Sequence, residues 1–134
     1  MQAELAKKLS TLNILIVDDM AAIRGLTKTL LESMGATKVD DAIDGADAWK
    51  KLNQRSYDII ISDWDMPKCS GIQLLEKVRD SIDYQRTPFL LLTASNEKSR
   101  VISAVKMGVS DYLSKPFQPH ELEQRVARML EKMG

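Results

Sequence analysis

The sequence has few of the residues on which crosslinked, metal-clustered or membrane-spanning proteins depend. It contains one cysteine, Cys69, which excludes an internal disulfide and fits a reducing compartment. It contains one histidine, His120, which excludes a metal site built from several His or Cys ligands. No apolar run approaches the roughly 18 residues that span a bilayer, and the first ten residues lack the apolar core of a signal peptide. These absences favour the cytoplasm and no membrane insertion.

An excess of charge of one sign is also absent. Lys plus Arg and Asp plus Glu each number 19, so the formal net charge is +0. This balance gives no support to binding nucleic acid through bulk electrostatics, and nucleic acid is not expected as a direct partner. A chain of 134 residues is long enough to form one domain whose core needs no disulfide or structural metal.

Short runs of branched apolar residues alternate with helical patterns along the chain. The runs at 14–17, 58–62 and 89–93 are too short for buried helices and end abruptly in polar residues, which is typical of parallel strands covered on both faces. Weaker strands are predicted at 38–42 and 111–114, where their shortness favours the sheet edges. Five β–α units in succession predict an open, doubly wound parallel sheet, since five strands are too few for an eight-stranded barrel.

Helices are predicted between the strands, and apolar residues at helical spacing mark their inner faces. The helical segments are 20–34, 45–53, 71–80, 97–107 and 119–133. The predicted inner faces include Ile23, Leu26, Leu30 and Met34 in the first, Val101, Ala104 and Val105 in the fourth, and Leu122, Val126, Met129, Leu130 and Met133 in the last.

An extension of residues 1–12 precedes the predicted domain of residues 13–134. It has the pattern of a short amphipathic helix with Leu5, Leu9 and Leu12 on one side. We expect it to exceed what the core needs, as a docking helix or the remnant of a linker.

The carboxyl ends of the predicted strands carry the reactive side chains. Asp18 and Asp19 follow the first strand and Asp63 the third, whereas Thr93 ends the fourth and Lys115 follows the fifth. Ligands of open α/β sheets bind beyond these ends, where the strand order reverses. We therefore expect the five side chains to converge on one pocket.

Three carboxylates in one pocket require protons or a cation. Two like charges about 4 Å apart repel by about 4 kcal/mol at an effective dielectric constant near 20. An all-oxygen acidic site suits Mg²⁺, and a carboxylate is a competent nucleophile towards a phosphoryl group, whose oxygens Lys115 and Thr93 would bind. The simpler alternative, in which each acid caps a turn or helix, is natural for Asp19 alone but leaves the other strand-end residues unexplained.

In this order and spacing, the residues resemble a CheY-like response-regulator receiver domain of two-component signalling over about residues 13–134. The matching residues are Asp18-Asp19, Asp63 within S-D-W-D-M-P, Thr93-Ala94, Tyr112 and Lys115-Pro116. The resemblance implies a flavodoxin-like sheet of order 2-1-3-4-5. It also implies that Asp63 accepts a phosphoryl group from a phosphohistidine on a sensor histidine kinase or phosphotransfer protein.

The resemblance further assigns the surrounding residues. Mg²⁺, with Mn²⁺ as a substitute, would be held by Asp18, Asp19, Asp63 and the main-chain carbonyl of Asp65. The phosphoryl group would be bound and sensed by Thr93, Ala94, Lys115 and Tyr112. The Lys115–Pro116 peptide bond would be cis. The output surface would be formed by the predicted helix 97–107, the strand 111–114 and the helix 119–133. It would include Lys98, Val101, Lys106, Tyr112 and Gln118.

Residues flanking the site depart from the pattern of enteric chemotaxis members of the family. Asp65 stands where those carry Asn, and Ser95 where they carry Glu. Both positions flank the path of attacking water in the family, so the lifetime of the phosphoryl group and a dedicated phosphatase are not predicted. Trp64 is expected to point away from Asp63, across the rim of the pocket.

The function expected from the resemblance is a monomeric, phosphorylation-dependent switch that catalyses only its own phosphorylation and dephosphorylation. A single-domain chemotaxis or phosphorelay regulator would then bind a downstream protein, such as the flagellar motor switch. The alternative is an excised receiver domain of a larger response regulator or hybrid kinase.

Three other classes of protein fit less well. A haloacid-dehalogenase-like phosphatase shares the D-x-D motif of residues 63–65, but there the motif follows the first strand. A flavodoxin-like cofactor binder would need a phosphate loop rich in Ser, Thr or Gly after the first strand, where this sequence is acidic. A receiver domain that binds partners without phosphorylation would have no need of the complete set of site residues found here.

Overall fold

The computed structural model describes residues 2–94 and 98–133. Within them, five parallel strands form one sheet in the order β2-β1-β3-β4-β5, which confirms the predicted fold class. The strands are β1 Asn13–Val17, β2 Lys38–Ala42, β3 Ile59–Asp63, β4 Phe89–Thr93 and β5 Asp111–Ser114. The helices are α1 Gln2–Leu9, α2 Ala21–Met34, α3 Gly45–Gln54, α4 Gly71–Asp80, α5 Lys98–Lys106 and α6 Pro119–Lys132.

Two apolar layers cover the two faces of the sheet. Side chains alternate along a strand, so Ile14 and Ile16 of β1 pack in the layer with α1, α2 and α6. Leu15 and Val17 pack in the opposite layer, with α3, α4 and α5. Strands β3 and β4 are buried at all five positions, which explains their almost continuous apolar sequence.

Local signals fix several helix ends. The side chain of Asp44 accepts the Asp47 N–H at 2.8 Å and begins α3, while Ser70 and Gln73 form a capping box at the start of α4. Gly35 ends α2 in a left-handed conformation, with φ of 120°. A residue with a side chain would adopt this conformation only under strain.

Three residues predicted to lie in the core are exposed instead. The exposed fractions are 50% for Leu26, 63% for Val105 and 45% for Met133. On α2 the neighbouring Thr27 is buried, because its hydroxyl donates to the Ile23 carbonyl at 2.9 Å and so leaves no unsatisfied polar group. A buried threonine shifts the inner face of the helix by one position, which the apolar pattern alone did not indicate.

The extension before β1 contributes to the core. Leu9 is fully buried in the layer beneath α2 and α6, and Leu5 and Leu12 pack against the same layer. A Cβ atom at Gly35 would lie 2.5 Å from the Cα of Ala6, so α1 packs closely against the end of α2. The expectation that this segment exceeds what the core needs is therefore wrong, whereas the domain boundary at residues 12 and 13 stays a prediction.

Charged side chains mark both outer strands of the sheet. Strand β2 carries Asp40 and Asp41, which are half-buried. On β5, Asp111 lies 3.6 Å from Nε of Arg125 and 3.7 Å from Nε of Arg128, both on α6. None of the helices described is both long and apolar enough to cross a lipid bilayer.

Candidate functional site

The carboxyl ends of the strands bring three buried polar residues to one edge of the sheet. Asp18 follows β1, Asp63 ends β3 and Thr93 ends β4, and each is almost completely shielded from solvent. The parallel register places Ser62 beside Val17, so the next residue of each strand emerges into the same pocket.

Lys115 lies between two of the acids. Its Nζ is 3.0 Å from Oδ1 of Asp63 and 3.4 Å from Oδ2 of Asp18. Its main-chain N–H donates to the Thr93 carbonyl at 2.7 Å, and its bond to Pro116 is cis. The loop after β5 therefore delivers one ammonium group to the buried carboxylates.

Burial dominates the electrostatics of Asp63. It raises the pKa of Asp63 above the usual value, although the hydrogen bond and charge of Lys115 act to lower it. Burial alone would lower the pKa of Lys115, but its hydrogen bond to Asp63 and the charges of Asp63 and Asp18 outweigh burial and raise it. The lysine therefore stays protonated at neutral pH.

The acid triad is the group of Asp18, Asp19 and Asp63, and its geometry suits a divalent cation. Each member offers a carboxylate oxygen, and these oxygens lie within 4.8 Å of one another. Asp18 and Asp63 are buried, whereas Asp19 is exposed and open to solvent. Because one ammonium cannot balance three carboxylates, the residues fit a hard cation with oxygen ligands and bound water.

Asp65 lies outside the acid triad, and its side chain is bound by a residue that the sequence did not indicate. Both terminal nitrogens of Arg100 donate to the Asp65 carboxylate, at 2.8 and 3.0 Å. Arg100 belongs to the first turn of α5, and the two residues are 35 positions apart. No local pattern links them, because only the fold brings α5 over the loop after β3.

Trp64 lies in the apolar interior, and its expected direction away from Asp63, across the rim of the pocket, stays a prediction. Only 9% of it is exposed, and its indole packs in the apolar layer shared with α3, α4 and α5. The guanidinium carbon of Arg100 lies 4.8 Å from the ring centroid and covers it. The main-chain N–H of Trp64 donates to Oδ1 of Asp63 at 3.0 Å, so Trp64 also orients the carboxylate.

The loop between β3 and α4 is shaped by two backbone requirements that sequence reasoning missed. A Cβ atom at Gly71 would lie 2.2 Å from the Asp63 carbonyl oxygen, so only glycine fits. The Gly71 N–H donates to the Trp64 carbonyl at 2.9 Å. Lys68 has φ of 67°, a left-handed conformation that is uncommon outside glycine. A glycine eight residues after Asp63 was a visible signal of this close approach.

The other predicted residues are placed as follows. Tyr112 is half-buried against the apolar layer, and its carbonyl accepts from Nε of Arg125 at 3.1 Å. Among the predicted output residues, Lys98, Lys106 and Gln118 are exposed and Val101 is half-buried. Ala94 is exposed, and Ser95 lies outside the residues that the structure describes.

Comparison with known proteins agrees with this geometry. Residues 14–127 match the profile of the response regulator receiver domain. The chain is a response-regulator receiver domain. Chemotaxis protein CheY1 of Helicobacter pylori is 34% identical to this receiver domain over 120 residues, which cover 89% of the chain and 97% of CheY1.

Solved structures of other receiver domains show the same fold. Chemotaxis protein CheY4 of Vibrio cholerae aligns with a TM-score of 0.83 at 32% identity, covering 88% of this receiver domain and 98% of CheY4. The receiver domain of the sensor histidine kinase PA1611 of Pseudomonas aeruginosa aligns with a TM-score of 0.81 at 28% identity. That alignment covers 90% of this chain and 98% of the other, whose active-site cleft coordinates a magnesium ion. This receiver domain is therefore a CheY-like signalling module of two-component systems.

Proposed function

We propose that this receiver domain is a switch operated by phosphorylation of Asp63. The proposal rests on one observation: Asp63 is buried at a strand end, with the Lys115 ammonium 3.0 Å away and the Asp18 carboxylate on the other side of that ammonium. A buried acid with such neighbours is a poor structural element, because its desolvation is only partly offset. It is well placed as a nucleophile towards an electrophilic phosphorus.

Mg²⁺ is the cofactor that the residues fit, and Mn²⁺ has the same ligand preference for oxygen. We propose that the carboxylates of Asp18, Asp19 and Asp63 hold it, together with the main-chain carbonyl of Asp65. The acid triad and the magnesium ion of the PA1611 receiver domain support this assignment. When bound, the cation supplies positive charge to the oxygens of the transferred phosphoryl group.

The chain's own residues then account for the transfer. A carboxylate oxygen of Asp63 forms a bond to phosphorus while the phosphorus–nitrogen bond of a donor phosphohistidine breaks, and the bonding electron pair stays on the donor imidazole. Lys115 binds one phosphoryl oxygen, and the hydroxyl of Thr93 and the main chain at Ala94 bind others. The donor belongs to a sensor histidine kinase or phosphotransfer protein.

The new phosphoryl group carries roughly two negative charges, which act on residues behind it. We propose that Thr93 moves to donate to it and that Tyr112 turns inward, which alters the surface of α5, β5 and α6. That output surface includes Lys98, Val101, Lys106, Tyr112 and Gln118. Its target is a downstream protein in the cytoplasm, with the flagellar motor switch as the first candidate.

Two arrangements of this monomeric switch are supported. The similarity to CheY1 over 97% of its length favours a single-domain chemotaxis or phosphorelay regulator. The similarity to the receiver domain of a sensor histidine kinase favours a module of a larger regulator or hybrid kinase. In both, the domain catalyses only its own phosphorylation and dephosphorylation.

The test is incubation of the chain with acetyl phosphate and Mg²⁺, followed by intact mass spectrometry. We expect the mass to increase by one HPO₃ unit, because acetyl phosphate is a small donor that needs no kinase. The increase should be absent without Mg²⁺ and absent in Asp63→Asn, which keeps the shape of the side chain and loses the nucleophile. Asp83→Asn, a matched change at an exposed acid, should be phosphorylated like the native chain. An unmodified native chain would refute the proposal.

A further inference from the structure

Arg100 and Asp65 form an ion pair beside the acid triad that the transfer chemistry does not use. The pair is bidentate, with nitrogen–oxygen distances of 2.8 and 3.0 Å. Its carboxylate is well exposed, with 59% of the side chain accessible, whereas the arginine side chain is 30% accessible. A pair at this exposure gains little from charge alone, and the structure shows a further contact of the arginine besides the carboxylate.

The second contact is the indole of Trp64. The guanidinium carbon of Arg100 lies 4.8 Å from the ring centroid, so the cation is fixed by the aromatic face as well as by the carboxylate. The two residues that it holds directly follow Asp63, and the Trp64 N–H donates to the Asp63 carboxylate at 3.0 Å. Arg100 therefore contacts the short segment whose conformation orients the nucleophile.

Asp65 also lies within the electrostatic reach of the site. Asp65 follows Asp63 by two residues, and the charge of Lys115 acts on its carboxylate. The ammonium that serves Asp63 and Asp18 thus also attracts Asp65. Without Arg100, the Asp65 carboxylate would lose two charge-assisted hydrogen bonds and would add a fourth negative charge near the site.

We infer that Arg100 is a positioning residue for the acid triad. It clamps the Asp65 carboxylate beside Trp64 and so prevents it from turning towards the cation site. A lysine cannot replace it, because an ammonium lacks the planar fork that binds both carboxylate oxygens while stacking on an indole. The inference rests on the proposed magnesium site, and it adds a regulator of cation affinity that lies on α5.

The test is a double-mutant cycle in which Mg²⁺ binding to the full chain is measured by isothermal titration calorimetry. We expect loss of the positive charge of Arg100 to raise Mg²⁺ affinity in any background by roughly threefold, because the charge no longer repels the cation. In the native background, Arg100→Gln also releases Asp65, so we expect a gain on the order of tenfold. In the Asp65→Asn background, the same substitution should give only the smaller gain.

Arg100→Lys separates charge from geometry. It keeps the positive charge and loses the fork, so it should raise Mg²⁺ affinity in the native background and leave it unchanged in the Asp65→Asn background. Tryptophan emission, recorded with Trp49→Phe so that Trp64 is the sole indole, should change in Arg100→Gln before any cation is added. A change in emission marks the loss of the guanidinium from the ring.

Arg55→Gln is the matched control. Arg55 pairs with Asp40 at 3.3 Å and precedes β3, at the opposite end of the sheet from the site. Its substitution therefore removes the same charge as Arg100→Gln, but far from the acid triad. Its Mg²⁺ affinity should equal that of the native chain. Equal gains from Arg100→Gln in both backgrounds would overturn the inference and leave the magnesium site intact. A native chain that binds no Mg²⁺ would overturn the proposed function and the inference together.

Discussion

Gly71 and Gly25 show how the space around a single position decides whether an added methyl group would clash or fit. A Cβ atom at Gly71 would lie 2.2 Å from the Asp63 carbonyl oxygen, inside the contact distance of any two atoms. A Cβ atom at Gly25 would have no neighbour within 4 Å, and this residue lies on the exposed face of α2. The first glycine is required by the site, whereas the second only adds backbone freedom to the unfolded chain.

Alanine substitutions at the two positions should therefore have opposite effects. Gly71→Ala should lower the free energy of unfolding by about 3 kcal/mol, because the loop must shift away from the end of β3. Gly25→Ala should raise it by about 0.5–1 kcal/mol, through helix propensity. Urea denaturation followed by circular dichroism measures both. Equal effects at the two positions would show that the close approach at Gly71 is not rigid.

Tyr57 gives a residue-scale dependence on pH. Its hydroxyl donates to the Asp40 carboxylate at 2.7 Å, and burial together with this hydrogen bond raises its pKa above the usual tyrosine value. A raised pKa contributes stability below the unfolded-state pKa of about 10, and that stability is lost as pH rises above it.

Between pH 10 and 11, the native chain should lose up to about 1.4 kcal/mol of unfolding free energy per pH unit from this one group. Tyr57→Phe should be less stable at pH 7 by about 1 kcal/mol, since it lacks the hydrogen bond, and should show a shallower decline above pH 10. Denaturant titrations at several pH values measure both slopes. An identical slope in the variant would mean that another group causes the alkaline loss.

At the scale of elements, α1 behaves as part of the fold. Leu9 is fully buried between this helix and the layer formed with α2 and α6, while Lys8 beside it is exposed. The close packing of Ala6 on Gly35 brings the two helices into direct contact. Burying one leucine contributes about 1.5–3 kcal/mol, which is a large part of the stability of a domain this size.

Leu9→Ala should lower the free energy of unfolding by about 2–4 kcal/mol, because it removes a buried side chain and leaves a cavity beneath α2. Lys8→Ala on the exposed face should change it by less than about 0.5 kcal/mol. The comparison uses thermal or urea unfolding of the full chain. If Leu9→Ala were as stable as Lys8→Ala, α1 would be a loosely attached segment.

The elements also show what the sequence could predict. The strands were recognisable because buried parallel strands are apolar at almost every position, and the weak apolar runs of β2 and β5 indicated the edges. The convergence of Asp18, Asp63 and Lys115 followed from the rule that strand ends meet at one edge. The inner face of α2 was not predictable from apolar residues, because Thr27 is buried through a hydrogen bond within its own helix.

Contacts that depend on tertiary structure were beyond sequence reasoning. Arg100 reaches Asp65 across 35 positions, and its guanidinium also lies over the buried indole of Trp64. A single sequence contains no periodicity or spacing that records such a pair. The resemblance to a family supplied the proposed acceptor and metal residues, but it said nothing about Arg100.

At the scale of the whole molecule, the acid triad links the stability of the folded chain to cation binding. Asp18 and Asp63 are buried beside one ammonium, and the repulsion among the three acids destabilises the folded chain whenever no cation is bound. A ligand that binds only the folded state stabilises it by mass action. The unfolded chain cannot form the site, because Asp18 and Asp63 are distant in sequence.

Mg²⁺ at a concentration 100 times its dissociation constant should therefore raise the free energy of unfolding by about 2.7 kcal/mol. NaCl at the same ionic strength should give a much smaller increase, because it only screens the repulsion. Asp63→Asn should show a reduced response to Mg²⁺ and should be more stable than the native chain without it. Urea denaturation with and without the cation measures each case, and a native chain indifferent to Mg²⁺ would contradict the prediction.

The carboxylates on the outer strands have a consequence for how copies of this domain meet. A strand with an unpaired edge is a template on which another chain can add its own strand. Asp40 and Asp41 lie on β2 and Asp111 lies on β5, each paired with an arginine of the same chain. A second copy that extended the sheet would have to bring its backbone against charged side chains at either edge, which opposes growth by strand addition.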